Sequence, residues 1–110
     1  MTEKKAIRYL SLAAKAGRLV TGAEECEKAL KRKKGKLIVL AADAAPNTCK
    51  RADTLSSESG VSLTRTEYSK SELAAAVGRG SSVAIALVTD EGLAKAFLAE
   101  AIPQRQEERI

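Results

Sequence analysis

Lys36-Leu37-Ile38-Val39-Leu40-Ala41-Ala42 is an unbroken apolar run of strand length behind one lysine. A strand that meets water on one side alternates polar and apolar residues, so a run without alternation is expected to be covered on both faces. Val83-Ala84-Ile85-Ala86-Leu87-Val88 has the same character. These two segments are expected at the centre of a sheet. The intervening chain alternates helical and strand patterns, which gives the α/β class and an α/β/α sandwich.

Working outward from Lys36, Gly35 is expected to close a preceding helix. That helix is expected to start in Thr21-Gly22-Ala23-Glu24, which fits a capping box with Thr21 as N-cap and Glu24 at N3. It should run to about Lys34, with Ala23, Cys26 and Leu30 inward. Arg18-Leu19-Val20 reads as a short extended piece. Before it, Thr2 to Ala16 reads as a helix with Ile7, Leu10 and Ala14 on one face and Gly17 after its end. Downstream, Pro46 is placed to open a helix that Gly60 closes. Val61 to Thr66 alternates as a strand. Ser69-Lys70-Ser71-Glu72 is a second capping box, before a short Ala-rich helix. Asp90 to Ala101 is the last helix, stopped by Pro103. One domain is expected over residues 1–102, followed by a polar C-terminal tail over 103–110.

Composition removes whole classes of chemistry. The chain has 110 residues and no histidine. Ser-His-Asp and Cys-His catalysis and all His-containing zinc sites are therefore excluded. Two cysteines, Cys26 and Cys49, cannot supply four thiolates; neither has a nearby base, and free thiols in a reducing compartment are the simpler reading, with a single Cys26–Cys49 disulfide as the alternative. Aromatic residues are limited to Tyr9, Tyr68 and Phe97, too few for the stacking platforms of common single-strand RNA modules. No cofactor and no metal are expected. The apolar stretch Tyr9 to Ala14 is shorter than a signal-peptide core, and nothing is long enough to span a membrane. The expected location is the cytoplasm, and nothing in the pattern demands more than a monomer.

The formal charge is +5, but it is not evenly spread. Residues 1–40 carry eleven Lys/Arg against four Glu, a net of +7, and residues 41–110 carry eight against ten Asp/Glu, a net of −2. An anionic partner for the first third follows.

Gly17-Arg-Leu-Val-Thr-Gly22 has the glycine spacing of a phosphate loop, yet Ala23 and Glu24 follow where Lys and Ser/Thr are needed, and a carboxylate there repels phosphate. The start of the second helix is more informative. A glycine at a helix N-terminus permits close approach to the backbone, and free N–H groups there favour phosphate. Glu24, Lys28, Lys31 and Arg32 share a helical face, Glu25 and Lys28 pair at i, i+3, and Lys33, Lys34 and Lys36 extend the charge. Lysines alone describe a solvated face equally well. Carboxylates set among them add something, because a carboxylate can accept hydrogen bonds from exocyclic amines of bases.

Gly78-Arg79-Gly80-Ser81-Ser82 reads by itself as an ordinary connection between helix and strand, and gains meaning only if it lies beside the Gly22 turn. Asp43 follows a buried strand, where ligand sites occur in α/β folds, or it caps a local turn. Thr89-Asp90-Glu91 reads as the start of the last helix.

Three segments, taken in register, resemble the L-seven-Ae type ribosomal proteins, a family of small kink-turn RNA-binding proteins. They are Gly22-Ala-Glu-Glu-Cys-Glu-Lys28, Lys36-Leu-Ile-Val-Leu-Ala-Ala-Asp-Ala-Ala-Pro46 and Leu73-Ala-Ala-Ala-Val-Gly78. The resemblance runs from about residue 5 to residue 100. Val88-Thr-Asp-Glu-Gly-Leu-Ala-Lys95 looks closer to the bacterial YlxQ-like branch. The resemblance implies a three-layer α/β/α sandwich around a four-stranded mixed sheet. It also implies a noncatalytic protein that binds structured RNA, with ribosomal RNA and the ribosome as candidate partners.

Carried over by position, Gly22, Glu24, Glu25 and Lys28 would face tandem G·A pairs, and Lys31 and Arg32 would reach phosphates; Ala23, in the same turn, and Lys36, for its charge, complete the expected RNA-binding set. Arg79, Gly80 and Ser81 would cover an extruded nucleotide, with Ala45 near it. The chain departs from the family pattern at Glu24, where Asn is typical, at Ala45, where some members carry a carboxylate, and in its polar covering loop. Relatives on this fold also serve as protein-interaction adaptors, which is the alternative function.

Overall fold

The computed structural model describes residues 2–101. Pro103 and the tail 103–110 lie outside the described residues. The order of elements is α1 (Thr2–Lys15), β1 (Leu19–Thr21), α2 (Ala23–Lys31), β2 (Leu37–Leu40), α3 (Pro46–Ser59), β3 (Ser62–Arg65), α4 (Lys70–Val77), β4 (Ile85–Val88) and α5 (Glu91–Ala101).

The strands form one sheet in the order β1-β4-β2-β3. β2 runs parallel to β3, while β4 lies antiparallel to both β1 and β2, so the sheet is mixed. The two unbroken apolar strands are the central ones, and all four residues of each are buried. Their alternate side chains feed two cores. Leu37, Val39, Ala86 and Val88 join Leu10, Leu73 and Phe97 under α1, α4 and α5. Ile38, Leu40, Ile85 and Leu87 join Cys26, Leu30, Ala52 and Leu55 under α2 and α3. The result is a three-layer α/β/α sandwich.

Local details depart from the sequence expectations in four places. Thr21 does not cap α2. It is the last residue of β1, paired with Ala86, and the N-cap is Gly22 at φ 91°, ψ 140°, without a side-chain cap. The sheet register takes Thr21 before the helix can use it. Second, α2 ends at Lys31, short of Lys34, with Arg32 as C-cap. Gly35 is therefore needed for a different reason: a Cβ there would lie 2.6 Å from Leu30 Cδ2 and 2.7 Å from Leu87 Cδ1. Third, the buried face of α1 centres on Ala6, Leu10 and Ala13, with Ile7 and Ala14 only partly covered. Fourth, β4 begins at Ile85 and not at Val83.

Other signals hold locally. Ser69 and Glu72 form a reciprocal capping box, and Pro46 opens α3. Gly60 and Gly78 close α3 and α4 in the left-handed conformation.

Leu87 is 0% exposed, so its methyl groups have little room to yield to a new Cβ. Gly35→Ala is expected to overpack this core and destabilise the protein by about 1–3 kcal/mol, read as a lower urea midpoint at unchanged slope.

Candidate nucleic-acid interface

The register defines two ends of the sheet. Thr21 of β1, Leu40 of β2, Arg65 of β3 and Ile85 of β4 lie at one end; Leu19, Leu37, Ser62 and Val88 lie at the other. Four connections meet at the first end: the Gly22 turn, the turn after β2, the turn before α4 and the Gly78–Ser82 loop.

The Gly22 turn is fixed by backbone geometry. Its φ of 91° belongs to a region that L side chains rarely adopt. The Gly22 N–H donates to the Ile85 carbonyl at 3.1 Å, and the Gly22 carbonyl accepts the Cys26 N–H at 2.9 Å. The turn is thus tied to β4 on one side and starts α2 on the other. No side chain caps this N-terminus, and Gly22 itself is exposed. A Cβ on Gly22 would meet nothing within 4 Å, so the surface above it is open.

The second loop comes to the first. Arg79 Nη1 donates to Thr21 Oγ1 at 3.4 Å. A groove of about 250 Å³ lies between them, lined by Thr21, Gly22, Ala23, Thr48, Arg79 and Ser82, with the segment from Val83 to Ile85 completing the wall. Arg79, Gly80 and Ser81 are exposed, Gly80 at φ 63°. The juxtaposition on which the Gly78–Ser82 loop depended for its meaning is present. Thr48, in the first turn of α3, was not legible as a site residue because it carries no motif of its own; only the packing of α3 beside α2 brings it to the groove.

Glu24, Glu25 and Lys28 are exposed on the first turns of α2. Lys28 Nζ lies 3.7 Å from Glu25 Oε2, a weak pair on an open surface that a ligand can rearrange. Acids at the start and bases at the end both complement the helix dipole. Lys31 is the last residue of the nine-residue helix and Arg32 its C-cap, so both lie at the end remote from the groove. Lys31 also pairs with Glu27 at 3.5 Å. Lys36 is not brought to the groove: it enters β2 at the other end of the sheet, where its N–H donates to the Val88 carbonyl at 2.8 Å.

Glu27, half-buried between α2 and α3, accepts from Arg51 Nη2 at 2.7 Å. That hydrogen bond, with the charge of Lys31 beside it, holds its carboxyl below the usual carboxylate range. Its role is to clasp two helices. Asp43 also has a structural task, since its Oδ1 accepts the Lys70 N–H at 2.8 Å and supports the first turn of α4. Burial pushes the Cys26 thiol up to about 12, so it is an inert core group. Asp90 Oδ1 accepts the Leu93 N–H at 2.9 Å, as expected for the start of α5. Among the described residues no group of His, Cys, Asp and Glu is arranged to hold a metal ion, and no helix is long and apolar enough to cross a membrane.

A small mixed sheet lies between helix layers, and a glycine-turned helix start faces a second glycine loop across an exposed groove. The chain belongs to the Ribosomal protein L7Ae/L30e/S12e/Gadd45 family, whose profile matches residues 4–98. No curated relative is matched. Among solved structures, a protein with unknown function from Bacillus halodurans C is similar at 26% identity and a TM-score of 0.81, with 88% of this chain and 96% of that chain covered. The Giardia lamblia 15.5kD RNA binding protein shares the fold at 20% identity and a TM-score of 0.74, covering 91% of this chain and 84% of that one.

Proposed function

We propose that this protein binds structured RNA without catalysing a reaction, and that it recognises a kink-turn-like bend at the Gly22 groove. The observation that carries this reading is the meeting of the Gly22 turn and the Gly78–Ser82 loop across one groove, joined by Arg79 and Thr21. The free N–H groups of the first turn of α2 suit a phosphate or base edge. Glu24 and Glu25 can accept from exocyclic amines, and Lys28 supplies a cation one turn on. Lys31, Arg32 and Lys36 extend the positive charge toward the other end of the molecule. Arg79, Gly80 and Ser81 cover a nucleotide turned out of the stack. Binding the bent conformer better than the extended one shifts the RNA toward the bend.

Family membership and the RNA-binding fold neighbour support this reading. The family's name makes ribosomal RNA, and through it the ribosome, the first partner to try. A cytoplasmic monomer fits these features. Free thiols are consistent with a reducing compartment, and Leu12 is the exposed large hydrophobic among the described residues.

The test is a gel shift with a kink-turn RNA and a version lacking its G·A pairs, across a salt series. The first should bind more tightly at each salt concentration. Equal binding would reduce the interaction to charge attraction. Lys28→Ala should weaken the kink-turn complex by about tenfold, the scale of one charge contact. Glu25→Ala should narrow the gap between the two RNAs more than it weakens either. If neither RNA binds at physiological salt while a protein partner is retained, the adaptor function takes its place.

A further inference from the structure

The end of the sheet remote from the groove carries its own cluster of cations. Arg18 enters β1 and Lys36 enters β2, on either side of the end of β4. The Arg18 carbonyl accepts the Thr89 N–H at 2.9 Å, and the Lys36 N–H donates to the Val88 carbonyl at 2.8 Å. Two strand spacings, roughly 10 Å, separate them. By strand alternation Arg18 is in phase with Val20, which packs against the core under α2 and α3, so Arg18 lies on the α2 side of the sheet. Lys36 sits in the bend that joins the end of α2 to β2. The end of α2 brings Arg32, Lys33 and Lys34 to the same side.

All five are exposed, and none is among the ion pairs of the described residues. Lys28, Lys31, Arg51, Arg65 and Lys95 each sit beside a carboxylate, while Arg8, Lys15, Lys50 and Arg79 are exposed outside these pairs but are spread over other parts of the chain. The acids near this end are largely engaged: Glu91 pairs with Lys95 at 3.2 Å, and Asp90 caps α5. Glu58, near the end of α3, is exposed.

A second observation concerns the backbone. Lys33 has φ 61°, the one positive-φ residue other than glycine among those described. Its N–H donates to the Leu30 carbonyl at 2.9 Å, and the Lys34 N–H donates to the Ala29 carbonyl at 3.1 Å. This is the helix-ending turn in which glycine is favoured at the left-handed position. Here a lysine occupies it, at a cost in strain that glycine would not carry. Strain of this kind persists only where the surrounding structure holds it, here through the two helix-ending hydrogen bonds, and it clusters at functional sites.

We propose that Arg18, Lys33 and Lys34, beside Lys36, form a second phosphate-contacting surface that grips the helical stem flanking the RNA bend held at the groove. The inference rests on the RNA-binding reading above. The nine residues of α2 set the two surfaces about 13 Å apart. An A-form RNA duplex passes that distance in roughly five base-pair steps. RNA with a shorter stem misses the second surface, so affinity depends on stem length.

The test compares two kink-turn RNAs, with stems of about three and about ten base pairs on either side of the predicted reach, bound by the full chain and by the variant Arg18→Ala, Lys33→Gly, Lys34→Ala. The unaltered protein should bind the long-stem RNA about tenfold more tightly. The variant should lose that preference and keep its short-stem affinity. Its salt slope on the long-stem RNA should fall by about 2–3, near 0.9 per lost contact. Lys33→Gly alone should raise the melting temperature by roughly 4–8 °C while weakening long-stem binding, an opposition that a purely structural lysine would not produce.

Indifference of the unaltered protein to stem length overturns the proposal, and so does an equal loss on both RNAs. Displacement of the long-stem RNA by polyglutamate at a lower concentration than by plain duplex would assign the surface to an acidic protein segment, and also overturns it. Failure of the groove reading is separable, because it appears as equal binding of RNAs with and without the G·A pairs.

Discussion

Gly22→Val is expected to lower kink-turn RNA affinity by about a hundredfold, roughly 2.7 kcal/mol, and to destabilise the fold by about 1–3 kcal/mol. The cause is conformational. Space exists for a side chain, since a Cβ would meet nothing within 4 Å. What a β-branched residue cannot do without strain is hold φ 91° and ψ 140°. Moving to a negative φ would break the Gly22 N–H bond to Ile85 or tilt the first turn of α2 away from Arg79. Either change opens the groove, and valine would also stand where RNA must approach. A filter-binding titration beside a urea melt separates the two effects. Near-normal affinity in a folded Gly22→Val protein would show that the turn geometry does not serve binding.

Phe97→Ala is expected to cost about 3–5 kcal/mol. Phe97 is 0% exposed and heads the largest fully buried side chains. It sits in the core under α1, α4 and α5, with Leu10, Leu37, Val39 and Leu73 in the same cluster. The loss is large against the 5–15 kcal/mol typical of a whole domain, and equilibrium urea unfolding measures it. The groove is built on β1, α2 and the Gly78–Ser82 loop, so RNA affinity of the folded fraction should change little.

Much of the frame was legible from short-range chemistry. Leu37–Leu40 and Ile85–Val88 read as doubly covered strands because they lack alternation, and they are the central pair. Pro46, Gly60 and the Ser69–Glu72 box mark helix ends through their own backbone and side-chain preferences. The errors arose where distant residues compete with a local signal. Thr21 looks like a cap in sequence, but pairing with Ala86 and the hydrogen bond from Arg79 give it other work. Gly35 looks like a helix stop, but Leu30 and Leu87 fill the space where its side chain would be. Asp43 was open between ligand and cap, and Lys70, 27 residues away, decides it.

The candidate site divides in the same way. The sequence by itself determined the apolar strands, the helix starts and the concentration of positive charge in the first 40 residues, because each depends on residue type and near spacing. Only the tertiary structure decided how that charge is distributed. It placed the Gly22 turn against the Gly78–Ser82 loop and brought Thr48 to the groove. It sent Lys36, with Arg18 and the end of α2, to the opposite end of the sheet. Those placements follow from strand order and register, which are set by the packing of two buried strands between two helix layers. No local pattern encodes them.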